Sequence, residues 1–234
     1  MGLSFQKVKF AGLLRINCDM IIAIDGPSAS GKSTTARGVS DSLNFTHLDT
    51  GAMYRAVTLG LSDEKIALSD KKILGRFLES IDIYFDENNS IWLNGKNVSR
   101  EIRTVEISSK VSLVSANPLV RNRMVIIQRI IASDINCVLE GRDIGTTVFP
   151  NADFKFFLDA DIKIRAKRRL KELKENNMSI TIDDLISSIK RRDKLDSTRA
   201  HSPLLKAKDA ISIDTTHLTI NEQIEKIVAI INKQ

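Results

Sequence analysis

The stretch GPSASGKST, residues 26–34, follows the apolar run MIIAID and leads into KSTTARGVSDSLN. Gly26, Gly31, Lys32 and Ser33 meet the spacing GxxxxGK[ST] of a phosphate-binding loop. Glycines let successive backbone N–H groups turn inward around a phosphate, and the positive end of the next helix strengthens the field. Lys32 is then placed to reach β- and γ-phosphates, and Ser33 to ligate Mg²⁺. A strand before the loop and a helix after it are the context this chemistry requires.

Two further polar clusters follow strand-like runs: LDTGAMYR (48–55) and EGRDIGT (140–146). Open α/β sheets bind ligands outside the carboxyl ends of their strands, so both clusters face the crevice of the glycine loop. Arg55 and Arg142 can approach a second phosphate there, and Asp143 offers a carboxylate. Arg192, Asp196 and Arg199 share a helical face if the helix persists that far, with a structural ion pair as the alternative. Arg165, Arg168 and Arg169 project from one side of a charged helix, where a solvated basic face is the ordinary alternative. There is no base-reading NKxD, and VLEGRD lacks the adjacent Asp-Glu of motor ATPases. A small kinase with a second phosphorylated substrate is the reading left.

The elements that must hold these groups read as α/β. Strands are predicted at 21–25, THLDT (46–50), CVLEG (137–141) and DFKFFLD (153–159), short apolar runs typical of a parallel sheet. Helices are predicted after the glycine loop, at 120–134, at 161–175, over TIDDLISSIKRRDKLDST (181–198) with an N-cap at Thr181, and over TINEQIEKIVAIINK, where Ile224, Ile227, Val228 and Ile231 form one face. Residues 82–98, DIYFDENNSIWLNGKNV, alternate around turn residues as antiparallel hairpins do. The expected organisation is an extension at 1–19, a first core part at 20–60, an insertion at 61–118 and a second core part at 119–234.

The chain has 234 residues, 42% hydrophobic and 27% charged, and lacks an apolar run of about 20 residues that would cross a bilayer. Two cysteines, Cys18 and Cys137, form no CxxC or Cys/His cluster, which fits a reducing compartment and speaks against a zinc site. His47, His201 and His217 are scattered, and catalysis is not expected of them. The net charge of +6 favours an anionic partner without naming it. Residues 1–19 carry Lys7, Lys9 and Arg15 and no acid before Asp19. That pattern is open to a transit peptide or to an extension upstream of a start at Met20, the second being the expectation.

Together the stretches IDGPSASGKST, LDTGAMYR, EIRT, LEGRDIGTTVFP, FFLDA, RAKRR and RRDKLDSTRAHSPL resemble the bacterial cytidylate kinases, in order and spacing, from Ile21 to about Lys233. The resemblance implies a three-layer P-loop core with a parallel sheet, an arginine-bearing lid at about 161–180 and an enlarged nucleoside-monophosphate lobe. It implies transfer of the γ-phosphoryl of ATP, with Mg²⁺, to CMP or dCMP. ATP would then lie on Gly26, Pro27, Ser28, Ala29, Ser30, Gly31, Lys32, Ser33 and Thr34. Asp143, Ser112 and Arg121 would form the cytosine pocket; cytosine presents an N4 donor, and uracil a carbonyl that Asp143 would repel. Thr50, Arg55, Arg142, Arg192, Asp196 and Arg199 would hold ribose and phosphate, although the family often has serine where Thr50 stands. Lys32, Arg142 and the lid arginines Arg165, Arg168 and Arg169 would stabilise the charge in transfer.

A kinase for another acceptor, such as UMP or AMP, is the nearest rival, and a nucleic-acid-binding P-loop protein the rival from another class. Against the latter, the arginines sit inside nucleotide-site motifs, and aromatic residues are only 5%, few for a stacking platform. The expected partners are small molecules alone, without nucleic acid or membrane, for a monomer in the cytoplasm.

Overall fold

In the computed structural model, which describes residues 20–175 and 180–233, IIAID forms the central strand β1 (Ile21–Asp25). The glycine loop leads into α1 (Lys32–Leu43), then β2 (Thr46–Asp49) and, with no intervening loop, α2 (Thr50–Asp63). Next come α3 (Lys71–Ser80) and a small antiparallel sheet of β3 (Ile83–Phe85), β4 (Ile91–Leu93) and β5 (Lys96–Asn97). After α4 (Val105–Ala116) and α5 (Pro118–Ile131) the chain returns to the large sheet as β6 (Cys137–Gly141) and β7 (Phe154–Asp159). Helices α6 (Ile162–Glu175) and α7 (Ile182–Thr198), strand β8 (Ile211–Asp214) and helix α8 (Ile220–Ile231) follow.

The large sheet runs β2-β6-β1-β7-β8, with every pairing parallel. Because strand side chains alternate between faces, Ile22 and Ile24 enter a core with Ala36, Val39, Phe156 and Ile227, while Ala23 joins Leu48, Leu139 and Ile144 on the other face. This two-sided burial is why the strands read as continuous apolar runs. Helix α8 starts in a capping box, Thr219 with Glu222, and lays Ile224 and Ile227 towards α1. A third cluster joins Met53, Val57 and Leu61 of α2 to Leu74, Phe77, Ile83, Leu93, Val111 and Met124. The antiparallel sheet therefore packs in one core with the helices that flank it in the chain. Among the described residues no helix is long and apolar enough to cross a membrane.

Several elements depart from expectation. Helix α2 was not expected; Asp49 caps it by accepting from Ala52 N–H at 2.9 Å, so the strand passes directly into a helix. Strand β8 is a fifth, four-residue edge strand whose first residue, Ile211, is exposed. Helix α7, by contrast, runs as expected from the cap at Thr181 to Thr198, and Arg199 lies just beyond it, extended with φ −63° and ψ 142°. Residues 1–19 and the stretch 176–179 of the expected lid lie outside the described residues.

The docking of α8 on α1 depends on Gly38, where an added Cβ would stand 2.1 Å from Ile224 Cδ1. Gly38→Val is expected to lower stability by about 1–3 kcal/mol through overpacking, despite the better helix propensity of valine. Urea unfolding measures this, and an unchanged midpoint would contradict so close a contact.

Candidate active site

The carboxyl ends of β1, β2 and β6 open into a cleft of about 530 Å³ lined by the glycine loop, the start of α2 and the loop after β6. Gly26 ends β1 against β7, where a Cβ would lie 2.0 Å from the Leu158 carbonyl oxygen, and Gly31 turns into α1 with φ 95°. Ala29 is left-handed, with φ 60°, an uncommon conformation for a residue with a side chain. It packs beside Ala166, Leu185 and Ile189 of α6 and α7, which supports the strained loop. Lys32 Nζ donates to the Pro27 carbonyl at 2.7 Å. Burial, reinforced by Arg142, pushes its pKa down to about 7.

Ser33 Oγ donates to Glu140 Oε2 at 2.6 Å. Glu140 Oε1 lies 3.3 Å from Nε2 of buried His47, yet is buried without a hydrogen bond. Hard oxygen donors, hydroxyl beside carboxylate, are the chemistry that suits Mg²⁺. No three His, Cys, Asp or Glu side chains among the described residues gather into a metal cage.

At the other end Asp143 is buried between two guanidinium groups. Arg121 Nη2 donates to one carboxylate oxygen, and Arg199 Nη2 donates to the other at 3.3 Å. Arg121 also donates to the Ser115 carbonyl at 3.1 Å and lies 5.3 Å from the Tyr54 ring centroid, within cation–π range. Beside this triad Arg142 Nε donates to Asp196 at 3.0 Å, and Arg55 Nη1 to Ser108 Oγ at 2.7 Å. Arg192 is half-buried beside Arg142; desolvation and that neighbour lower its pKa to about 9, and its buried Nε has no hydrogen bond. Burial, then the neighbouring Glu140, raises the pKa of Asp49.

The cleft brings together residues 28–29, 31–34, Thr50, Arg55, Arg121, Arg142, Asp143, Arg169, Arg192, Asp196 and Arg199. Three sets of side chains stand elsewhere than their spacing indicates. Arg199 reaches Asp143 from extended backbone, not from the helical face of Arg192 and Asp196, because α7 has already ended. Ser115 and Val111 of α4 line the cleft, whereas Ser112 is not among the lining residues. The Thr50 hydroxyl donates to the Glu140 carbonyl at 2.6 Å, so its proton is committed to β6.

The lid arginines also divide. Arg165 donates to Asp193 and to the Ser28 carbonyl at 3.1 Å, and Arg168 to the Ser30 carbonyl at 3.2 Å and the Thr215 carbonyl at 2.6 Å. Both brace the glycine loop from behind, while Arg169 lines the cleft and pairs with Glu172. Residues that pattern reading missed include Glu140 beside Ser33, Tyr54 under Arg121, and Arg103, which lines the cleft from within EIRT. The signal for each lay inside a motif already noticed, but nothing in the spacing assigned it a partner.

A glycine loop at the end of a parallel sheet, facing a second basic pocket across one cleft, defines a P-loop kinase. A family model described as cytidylate kinase matches residues 22–233. The chain is 47% identical over 218 residues to a cytidylate kinase of Caldanaerobacter subterraneus subsp. tengcongensis, covering 93% of this chain and 97% of that one. It is 44% identical over 218 residues to a cytidylate kinase of Halalkalibacterium halodurans, covering 92% of this chain and 98% of that one. A solved structure of an uncharacterized protein from Eubacterium ventriosum shares the fold at TM-score 0.50 and 13% identity, covering 92% of this chain and 99% of that one. The chain belongs to the cytidylate kinase family.

The division among lid arginines has a measurable consequence. Arg168→Ala is expected to lower unfolding stability by about 1–3 kcal/mol, because buried carbonyls lose their donor. Arg169→Ala should stay within about 0.5 kcal/mol in stability while slowing turnover. Equal stability losses in urea would contradict the bracing role of Arg168.

Proposed function

We propose that the protein transfers the γ-phosphoryl group of ATP to CMP or dCMP, releasing ADP and CDP or dCDP. The observation that carries this reading is the buried Arg121–Asp143–Arg199 set at the end of β6, facing the glycine loop across one cleft. A carboxylate fixed in this way keeps lone pairs for the N4 amine of cytosine and repels the carbonyl of uracil. Arg121, with Ser115 or Ser112 of α4, completes the base pocket. Arg55, Arg142, Arg192 and Arg199 surround the acceptor phosphate, and Asp196 faces the ribose.

In the reaction a phosphate oxygen of CMP bonds to the γ-phosphorus as the bond from that phosphorus to the β–γ bridging oxygen breaks. Such transfer relies on positioning and charge stabilisation rather than on a strong base. The glycine loop N–H groups and Lys32 hold the donor phosphates. Arg142 and Arg169 line the cleft and are assigned to the charge in transfer, with Arg165 and Arg168 keeping the loop rigid behind them. Mg²⁺, bound by Ser33 with Glu140, would neutralise phosphate charge. The carboxylates take no proton in this scheme.

The test is ADP release from Mg-ATP with CMP, dCMP, UMP or AMP as acceptor, with Lys32→Ala as the inactive control. Turnover confined to CMP and dCMP is expected. Asp143→Asn, which keeps the shape but presents a donor to cytosine, should raise the KM for CMP about tenfold to a hundredfold and leave the KM for ATP within about threefold. Fast turnover with UMP or AMP, or equal losses for both nucleotides, would overturn the base pocket.

A further inference from the structure

Asp143 stands at the start of a short π-helical turn, Ile144–Val148, in the position from which a side chain ordinarily caps the first N–H groups. It makes no such bond, because its carboxylate is held by Arg121 and Arg199. The first two buried donors of that turn are nonetheless satisfied. Asp25 Oδ1 accepts from Ile144 N–H at 2.9 Å, and Asp25 Oδ2 accepts from Gly145 N–H at 2.8 Å.

Asp25 is the last residue of β1, paired in register with Gly141 of β6 and adjoining Gly26 of the glycine loop. It is buried, 4% exposed, and no ion pair with it is among those found in the described residues. Burial pushes its carboxyl up to about 6, with the Ile144 and Gly145 N–H groups and Lys32 opposing that rise and Asp143 adding to it. The approach is close: Gly145 presents its backbone where a Cβ would lie 3.2 Å from Lys155 Cδ and 3.5 Å from Asp25 Oδ2. On the other side of the turn, the Asp143 carbonyl accepts from Thr147 N–H at 2.9 Å and Val148 N–H at 3.2 Å.

We propose that Asp25 is a positioning residue for the acceptor end of the cleft: it caps the turn that Asp143, held by Arg121 and Arg199, does not cap, and so fixes Arg142 and Asp143 relative to the glycine loop. A carboxylate suits this task because it accepts two N–H groups at once. An amide of the same shape accepts one and turns a donor towards the other. The inference rests on Arg142 and Asp143 binding the acceptor, and on no direct contact between Asp25 and either nucleotide.

Steady-state kinetics of Asp25→Asn beside Asp143→Asn tests it. Asp25→Asn should raise the KM for CMP about tenfold or more, the loss of one charged hydrogen bond, and shift the KM for ATP by less than about threefold. A general structural role would move both nucleotides alike, and that outcome, or an unchanged KM for CMP, overturns the proposal. If Asp143→Asn leaves CMP untouched, the acceptor reading fails and takes this inference with it. If Asp143→Asn acts and Asp25→Asn does not, the capping role alone fails. Hydrogen exchange on the unaltered protein gives a check that needs no variant to fold. The Ile144 and Gly145 amides should be protected at least about a hundredfold before any nucleotide is added, and fast exchange at both would overturn the proposal.

Discussion

The rest of the structure depends on one buried carboxylate, Asp143, held between Arg121 of α5 and Arg199 beyond α7. It ties two distant parts of the chain to the end of β6. Such buried ion pairs add little net stability, since desolvation offsets attraction, but removing one partner costs about 3–5 kcal/mol. Their worth here is placement: a carboxylate flanked by two rigid guanidinium groups presents its remaining lone pairs in a fixed direction. The same crowding of positive charge is felt across the cleft, where burial and neighbouring arginines lower Lys32 to about 7 and Arg192 to about 9. A site so loaded with cations is suited to ligands that carry several phosphates.

Sheet order explains how two pockets come to share one cleft. β1 is central, with β6 beside it in parallel, so the glycine loop and the GRD loop leave the same end of neighbouring strands. Ser33 and Glu140 then meet across that boundary, and the Thr50 hydroxyl reaches the Glu140 carbonyl from the start of α2. Helix α6 closes the back of the arrangement by binding carbonyls of the glycine loop through Arg165 and Arg168. The glycine loop and the loop carrying Asp143 are thus joined by hydrogen bonds between backbone and side chains rather than by flexible linkers.

Much of this was legible in the sequence because it follows from periodicity and short-range chemistry. The apolar runs at 21–25, 137–141 and 153–159, the glycine loop, the Thr181 cap and the alternation at 82–98 all have local causes. β8 was not legible, since ISID is short and its outer residues stay exposed at a sheet edge. α2 was hidden because a strand runs into it without a turn signal. Spacing names the side of a helix but not its partner. It therefore grouped Arg165, Arg168 and Arg169, which in the fold divide between loop and cleft, and could set Arg199 beside Arg192 and Asp196 only if α7 ran past Thr198, where it stops. The capping of Ile144 and Gly145 by Asp25, more than a hundred residues away in sequence, has no local trace at all.

On the proposed reading a single cleft takes the donor at the glycine loop and the acceptor at Asp143. Calorimetry with an adenosine–cytidine dinucleoside pentaphosphate, which joins both nucleosides through one phosphate chain, tests it most directly. One ligand bound per chain is expected, displaced by ATP and by CMP alike, with affinity well above that of either alone. Binding of two ligands per chain, or displacement by only one of the nucleotides, would contradict it.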